Sequence, residues 1–290
     1  MFNRFSHLLL LILMLPLMLG GCAPASPSQP TPTRVTPTRV TPAPEPTATR
    51  APEANSLGLT TQDIALDAQG VGEPWQAVLV PALPFDIMRA PGPSGLPQHI
   101  QILFDGLTDP FQRSQGQAVI FIIPVEAYRK LWADHDAQVV PDHLQKIKTL
   151  SDKLPQPAPV RSLPVLPTEE IWGMNDFDTQ MRALSGINHH GVRFVGRFAM
   201  EARPVVNEDL RYIYQGLSND GRFLIAAFFP VSTSELADAQ EGVSQQENQD
   251  FMSNGPGYLS AKAQELDLLP ADAWQPDLSK LDALVASLHF

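Results

Sequence analysis

Cysteine is nearly absent from this chain: there is one, at position 22, in 290 residues. Everything downstream of it therefore lacks disulfides, cysteine nucleophiles, Cys-ligated zinc and iron–sulfur clusters. Long apolar runs are missing too. The longest, LLLLILMLPLML (8–19), has about twelve residues where a membrane-spanning helix needs about twenty, and Pro16 interrupts it. Basic residues are few, 20 Lys+Arg against 31 Asp+Glu, for a net charge of −11. That balance repels nucleic acid and anionic membrane surfaces, so no nucleic-acid partner is expected. Catalytic motifs are lacking as well. There is no HExxH, no SxxK and no GxSxG, which GLSNDG (216–221) misses by one residue. Tyr258 and Lys262 have a YxxxK spacing but no glycine-rich dinucleotide loop accompanies them, so no cofactor is expected. A Ser/His/Asp triad assembled from distant segments would leave no such signature. An extracytoplasmic hydrolase therefore stands as the alternative to a binding protein.

What is present begins with a leader. Arg4 and His7 precede the apolar run, and Leu19-Gly20-Gly21-Cys22 follows it. Charge, a short apolar stretch and small residues are the parts of a secretory signal peptide, 1–21. With Cys22 in register, the segment resembles the lipobox of bacterial lipoprotein precursors. That resemblance implies cleavage before Cys22, a diacylglyceryl group on its sulfur, and an anchor on the extracytoplasmic face of a membrane. One acyl chain holds a protein only marginally, whereas two or three hold it firmly. A cysteine placed by chance near an ordinary cleavage site is the alternative.

Residues 22–56 read as a tether. Nine of the 34 residues after Cys22 are proline, TPTRV occurs twice (31–35 and 36–40), and there is no aromatic side chain. Such a segment cannot bury a core and favours extended polyproline II. At about 3.1 Å per residue it spans roughly 100 Å. A proline-rich recognition motif and an O-glycosylated stalk are the other readings. Arg34, Arg39 and Arg50 against Glu45 and Glu53 give the tether a charge of +1. Setting these and Arg4 aside leaves 16 basic and 29 acidic residues, net −13, in 57–290.

Residues 57–290 are long enough for a single domain with a sizeable core. Three strands come first, in EPWQAVLVPALP (73–84), QHIQILFDGL (98–107) and QAVIFIIPVE (117–126). Helical spacing follows in 125–134 and 142–154, with Leu144, Ile147, Leu150 and Leu154 on one face and Pro141 opening the second helix. After a proline-rich crossover (155–170), TEEIWGMNDFDTQMRAL predicts a helix capped by Thr168. GVRFVGRFAMEARPV (191–205) alternates: Val192, Phe194, Phe198, Met200 and Ala202 on one face, Arg193, Arg197, Glu201 and Arg203 on the other. That pattern predicts a half-buried antiparallel strand. RYIYQGLS, the turn SNDG and RFLIAAFFPVS add a hairpin ending in a central strand, and PDLSKLDALVASLHF (276–290) adds an amphipathic helix with a short edge strand. The expected fold is α+β, a largely antiparallel sheet of about six strands with flanking helices behind a disordered Pro/Thr tether.

PQHIQILFDGL, IIPVEAYRKL, SLPVLP, GVRF and NEDLRYIYQGLSNDGRFLIAAFFPVS, in that order over roughly 97–235, resemble the landmarks of an uncharacterised family of bacterial extracytoplasmic proteins. No activity or site residue comes with that family. The acidic ADAQEGVSQQENQD (237–250) stands outside the resemblance.

The candidate site is an arginine face. Arg193, Arg197 and Arg203 on one strand, with Arg211 and Arg222 near the ends of the next two, would present up to five guanidinium groups to a carboxylate or phosphate ligand. The alternative is a solvated face paired with Glu201, Glu208 and Asp209. Histidines 99, 135, 143, 189, 190 and 289 show no metal-ligand spacing, and NDFD (175–178) and SNDG do not complete a calcium loop, so no metal is expected. The functional expectation is a membrane-attached, non-enzymatic binding or scaffolding domain for an unknown envelope ligand or protein. It would act through a sheet face or the groove beside 155–170. A structural envelope protein is a further alternative.

Overall fold

A computed structural model describes residues 57–88, 93–114, 116–153, 163, 165–171 and 173–290. Cys22, the tether and most of the 155–170 crossover lie outside the described residues. The described residues all belong to the unit Pro52–Phe290. Among them no helix is long and apolar enough to cross a membrane.

The strand-forming runs pair into one seven-stranded sheet and two small two-stranded ones, β2-β3 and β10-β11. The first half supplies β1 (Gln76–Val80), β2 (Leu83–Asp86), β3 (Ser94–Leu96), β4 (His99–Leu103) and β5 (Val119–Pro124), then helices α1 (Val125–Trp132) and α2 (Val139–Asp152). The second supplies β6 (Asp178–Ser185), β7 (His189–Arg197), β8 (Leu210–Ser218), β9 (Phe223–Pro230) and β10 (Ser232–Thr233). It closes with α3 (Gln245–Ser253), α4 (Gly255–Asp267), β11 (Trp274–Gln275) and α5 (Leu278–Ser287). The main sheet has seven strands in the order β1-β4-β5-β9-β8-β7-β6, antiparallel throughout. The fold is therefore α+β with a large antiparallel sheet. Gly221, at φ +72°, closes the β8–β9 turn in the left-handed region that favours glycine.

Both faces of the sheet are covered. On one, Phe121, Ile123, Phe194, Ile213 and Phe228 pack against Tyr128, Trp132, Leu144 and Ile147 of α1 and α2. On the other, Ile100, Ile122, Tyr212, Ile225 and Phe229 share a core with Leu266 of α4 and Leu281, Leu284 and Val285 of α5. Each fully buried large apolar side chain contributes about 1.5–3 kcal/mol of transfer free energy. Two helical layers on one sheet explain why RFLIAAFFPV is apolar on both faces.

Several expectations are corrected. TEEIWGMNDFDTQMRAL is not a helix: it forms a 3₁₀ turn at Thr168–Glu170 and then β6. The β6–β7 register shifts between Thr179 and Arg182, and Gln180 adopts φ +56°, so strand alternation is broken just where helical spacing was read. Gln180 Nε2 donates to the carbonyls of Leu266 (2.7 Å) and Leu269 (2.9 Å), a tertiary role at the end of α4. The β7 segment is not half-buried, because α4 and α5 cover its arginine face. Pro141 is the third residue of α2, not the first. Residues 237–250 form a 3₁₀ turn and most of α3. The C-terminal edge contact is a single bridge, Ala65 to His289, outside the main sheet.

Candidate functional site: a groove and a polar pocket on the α1–α2 face

The structure does not bring the five arginines together. Arg193 and Arg197 are fully buried under α4 and α5. Arg193 makes a fork with Asp282, Nε to Oδ1 at 2.9 Å and a terminal nitrogen to Oδ2 at 3.2 Å, and its other terminal nitrogen donates to the Gln180 carbonyl. The Tyr212 hydroxyl donates to the same Asp282 at 2.9 Å. Arg197 makes a second fork with Asp176, at 2.9 and 2.8 Å, and donates to the Arg203 carbonyl at 2.6 Å. With the carbonyl contacts, every guanidinium nitrogen of both arginines has an acceptor. Arg203 lies beyond the end of β7 and pairs with Asp209 (2.9 Å) and Glu208 (3.1 Å). Arg211 pairs across from Gly196, so it points to the α1–α2 face, opposite Arg193, and donates to the Glu208 and Leu210 carbonyls. Arg222 sits at the β8–β9 turn, 3.9 Å from Asp220. The convergent anion face is thus corrected. Strand alternation placed Arg193 and Arg197 on one face but gave no sign that helices would roof it.

The histidines are dispersed. His189 Nε2 faces the Val285 carbonyl at 3.1 Å and must donate to it, leaving Nδ1 to accept from the Tyr214 hydroxyl at 2.7 Å. Burial pushes its pKa down to about 4 and pushes Tyr214 up. Among the described residues no group of three His, Cys, Asp or Glu is placed to hold a metal ion. Tyr258 and Lys262 are engaged with Glu247 (2.6 Å) and Glu265 (2.8 Å). Asp176 of NDFD serves Arg197, and Asp220 of SNDG accepts from Ser218 at 2.6 Å.

Two adjoining cavities lie instead on the α1–α2 face, around the β2–β3 hairpin, while a separate one of about 480 Å³ lies beside Arg222 and Asp220. Trp132 Nε1 donates to the Gly95 carbonyl at 3.2 Å, fixing α1 to β3. A Cβ on Gly95 would meet the Phe85 backbone at 2.8 Å, so only glycine permits that approach. Phe85 meets Trp132 edge-on at 5.0 Å and stacks flat on His135 at 3.6 Å. Two open cavities, about 830 and 580 Å³, flank the Phe85–His135 stack. The first runs between Pro84, Gln98 and Ala127; the second between Trp132, Val139, Thr168 and Ile171. Together they form a groove. Ile87 and Met88, 66% and 86% exposed, stand at the end of β2.

The 165–171 segment is held to the sheet from below. Gln215 of β8 exchanges two hydrogen bonds with the Leu166 backbone, 3.0 and 2.7 Å. That places Thr168–Glu170 over the β4 end of the sheet, where a smaller pocket of about 220 Å³ lies. His99 and Gln101 occupy alternate positions of β4 and share this face. His99 Nδ1 lies 2.8 Å from the Pro97 carbonyl and must donate to it; Nε2 then accepts from the Gln101 amide at 3.0 Å. Burial holds His99 neutral, its pKa lowered to about 4. Arg113 forks onto Glu170, its side chain 10% exposed. Nothing in the sequence marked this cluster except the alternation of HIQIL, which puts His99 and Gln101 on one face and Ile100 and Ile102 on the other.

No family model, no curated protein and no solved structure matches this chain.

Proposed function

We propose that this chain is a lipid-anchored extracytoplasmic protein whose folded unit is a non-enzymatic binding domain at the cell envelope. The lipobox-like LGGC supports attachment through Cys22, and the Pro/Thr stretch after it supports a spacer between membrane and domain. The observation that carries the binding reading is the groove on either side of the Phe85–His135 stack. Its cavities fall within the about 300–1,000 Å³ range of small-ligand sites, with apolar walls and a few polar groups. Phe85, Trp132, Val139 and Ile171 favour an apolar ligand body, and Asp134, Asp136 and Lys130 at the edges favour a polar rim contact. A hydrolase is the second reading, because His135, Asp136 and Thr168 border the same cavity.

Two experiments test this. Mass spectrometry and fractionation of the chain made in a bacterial host should find Cys22 acylated and the protein in the membrane fraction. Cys22→Ser should release it, and an unmodified Cys22 would overturn the anchor. For the groove, the neutral apolar dye Nile red should bind the full chain in nanodiscs above the protein-free control. Ala127→Trp, which fills the groove from an exposed position, should weaken that binding at least tenfold. Equal binding by both proteins would remove the groove from the account. Turnover of ester or amide substrates, abolished by His135→Ala, would favour the hydrolase.

A further inference from the structure

We propose that the 220 Å³ pocket between β4, Arg113 and Glu169–Glu170 binds one neutral sugar ring. It shares no lining residue with the groove and stands or falls independently of it.

Two residues that line the pocket, Gln101 and Arg113, each carry a buried polar atom without a protein partner. Because the Pro97 carbonyl fixes the His99 tautomer, the Gln101 NH₂ must face His99, and Gln101 Oε1 is left as an acceptor with no donor. Gln101 is only 6% exposed, so bulk water does not serve it. On Arg113 the two terminal nitrogens are taken by Glu170, while Nε remains a donor with no acceptor. Buried polar atoms without partners are rare and costly. Trp274 Nε1 and Asp209 Oδ2 are also unpaired, but neither borders this pocket or the groove. Here the residues that carry an orphan acceptor and an orphan donor line one cavity.

A hydroxyl group both donates and accepts, so adjacent hydroxyls satisfy both atoms. The charge selects against anions: Glu170 already neutralises Arg113, and Glu169 adds a further carboxylate to the wall. The rest of the lining is apolar, with Leu83, Leu96 and Phe121. At the mouth stands Phe111, 66% exposed, on a 3₁₀ turn whose N-cap Asp109 accepts from the Phe111 backbone at 2.9 Å. An aromatic face held in solvent beside buried hydroxyl partners suits the C–H face of a sugar ring. The volume lies below that of drug-sized sites, so the ligand is a single ring.

The test is a titration of the full chain in nanodiscs with glucose, galactose, mannose and N-acetylglucosamine, with glucuronate and inorganic phosphate as anionic probes. The readout is the ¹⁵N resonance of His99 Nε2, because donation into Gln101 Oε1 polarises the amide that His99 accepts from. At least one neutral sugar should shift that resonance with millimolar affinity. Gln101→Leu, followed through backbone resonances around β4, and Phe111→Ala should each weaken binding about tenfold or more. Phe111 is exposed, so that variant tests the proposal without risk to the fold. Ala127→Trp in the groove should leave sugar binding unchanged. A His99 resonance indifferent to every neutral sugar, tighter binding of the anions, or undiminished binding in both pocket variants would each overturn the proposal.

Discussion

The two faces of the sheet treat buried arginine differently. Under α4 and α5, Arg193 and Arg197 spend their guanidinium donors on a carboxylate and a backbone carbonyl, and Tyr212 completes the first set. Under the 165–171 segment, Arg113 and Gln101 line one cavity and each keeps an unpaired atom, Nε and Oε1. The first arrangement closes on itself and holds structure. The second leaves buried hydrogen-bonding capacity unmet in residues that line a cavity, which is where a ligand gains most from binding. Residue type does not distinguish the cases; the completeness of the hydrogen-bond set does.

Substitutions separate the two arrangements. The largest effect is expected at Asp282. Asp282→Ala strands a fully buried guanidinium and the Tyr212 hydroxyl, and should cost about 3–5 kcal/mol in urea unfolding. A loss below 1 kcal/mol would show that the first fork is not structural. Gln101→Leu should cost less, about 1–3 kcal/mol, since it removes one bond to His99 and one already unpaired acceptor. A loss as large as that at Asp282 would place the two faces in the same class.

Acid sharpens the contrast in another way. His99 and His189 are held neutral by burial, with folded pKa values near 4 against an ordinary 6.5. The unfolded chain therefore binds the proton first. Each group's stability is fully present above about pH 6.5 and drains away as pH falls toward 4, by up to about 3 kcal/mol each. His99→Asn can keep the donor to the Pro97 carbonyl and should flatten the decline between pH 7 and 5. An unchanged decline would clear His99 of the effect. The smallest change is expected at Arg222→Ala, within about 0.5 kcal/mol, because its side chain is 60% exposed and its partner 3.9 Å away.

Strand periodicity carried much of the fold. Alternation in 191–197 and the two-faced apolar run 223–230 located β7 and β9, and helical spacing located α1, α2 and α5. The β6 segment was missed because its bulge at Gln180 breaks period two, and its strand character comes from pairing with β7 rather than from local alternation. The arginine site failed for a related reason: sequence gives the face a side chain occupies but not what covers that face. Asp176 and Asp282 lie 21 and 89 residues from the arginines they bind, beyond the reach of any local pattern. The polar pocket was hidden because Gln101 and Arg113 are ordinary residues until the 165–171 segment is laid across them.

The most direct measurement is a double-mutant cycle on the first fork, Arg193→Met with Asp282→Leu, read by urea unfolding. A self-contained structural pair predicts that each single change is severely destabilising and that the double variant recovers at least about 2 kcal/mol of their sum. Additive losses would contradict the account, because they would mean that Arg193 and Asp282 are not each other's principal partners.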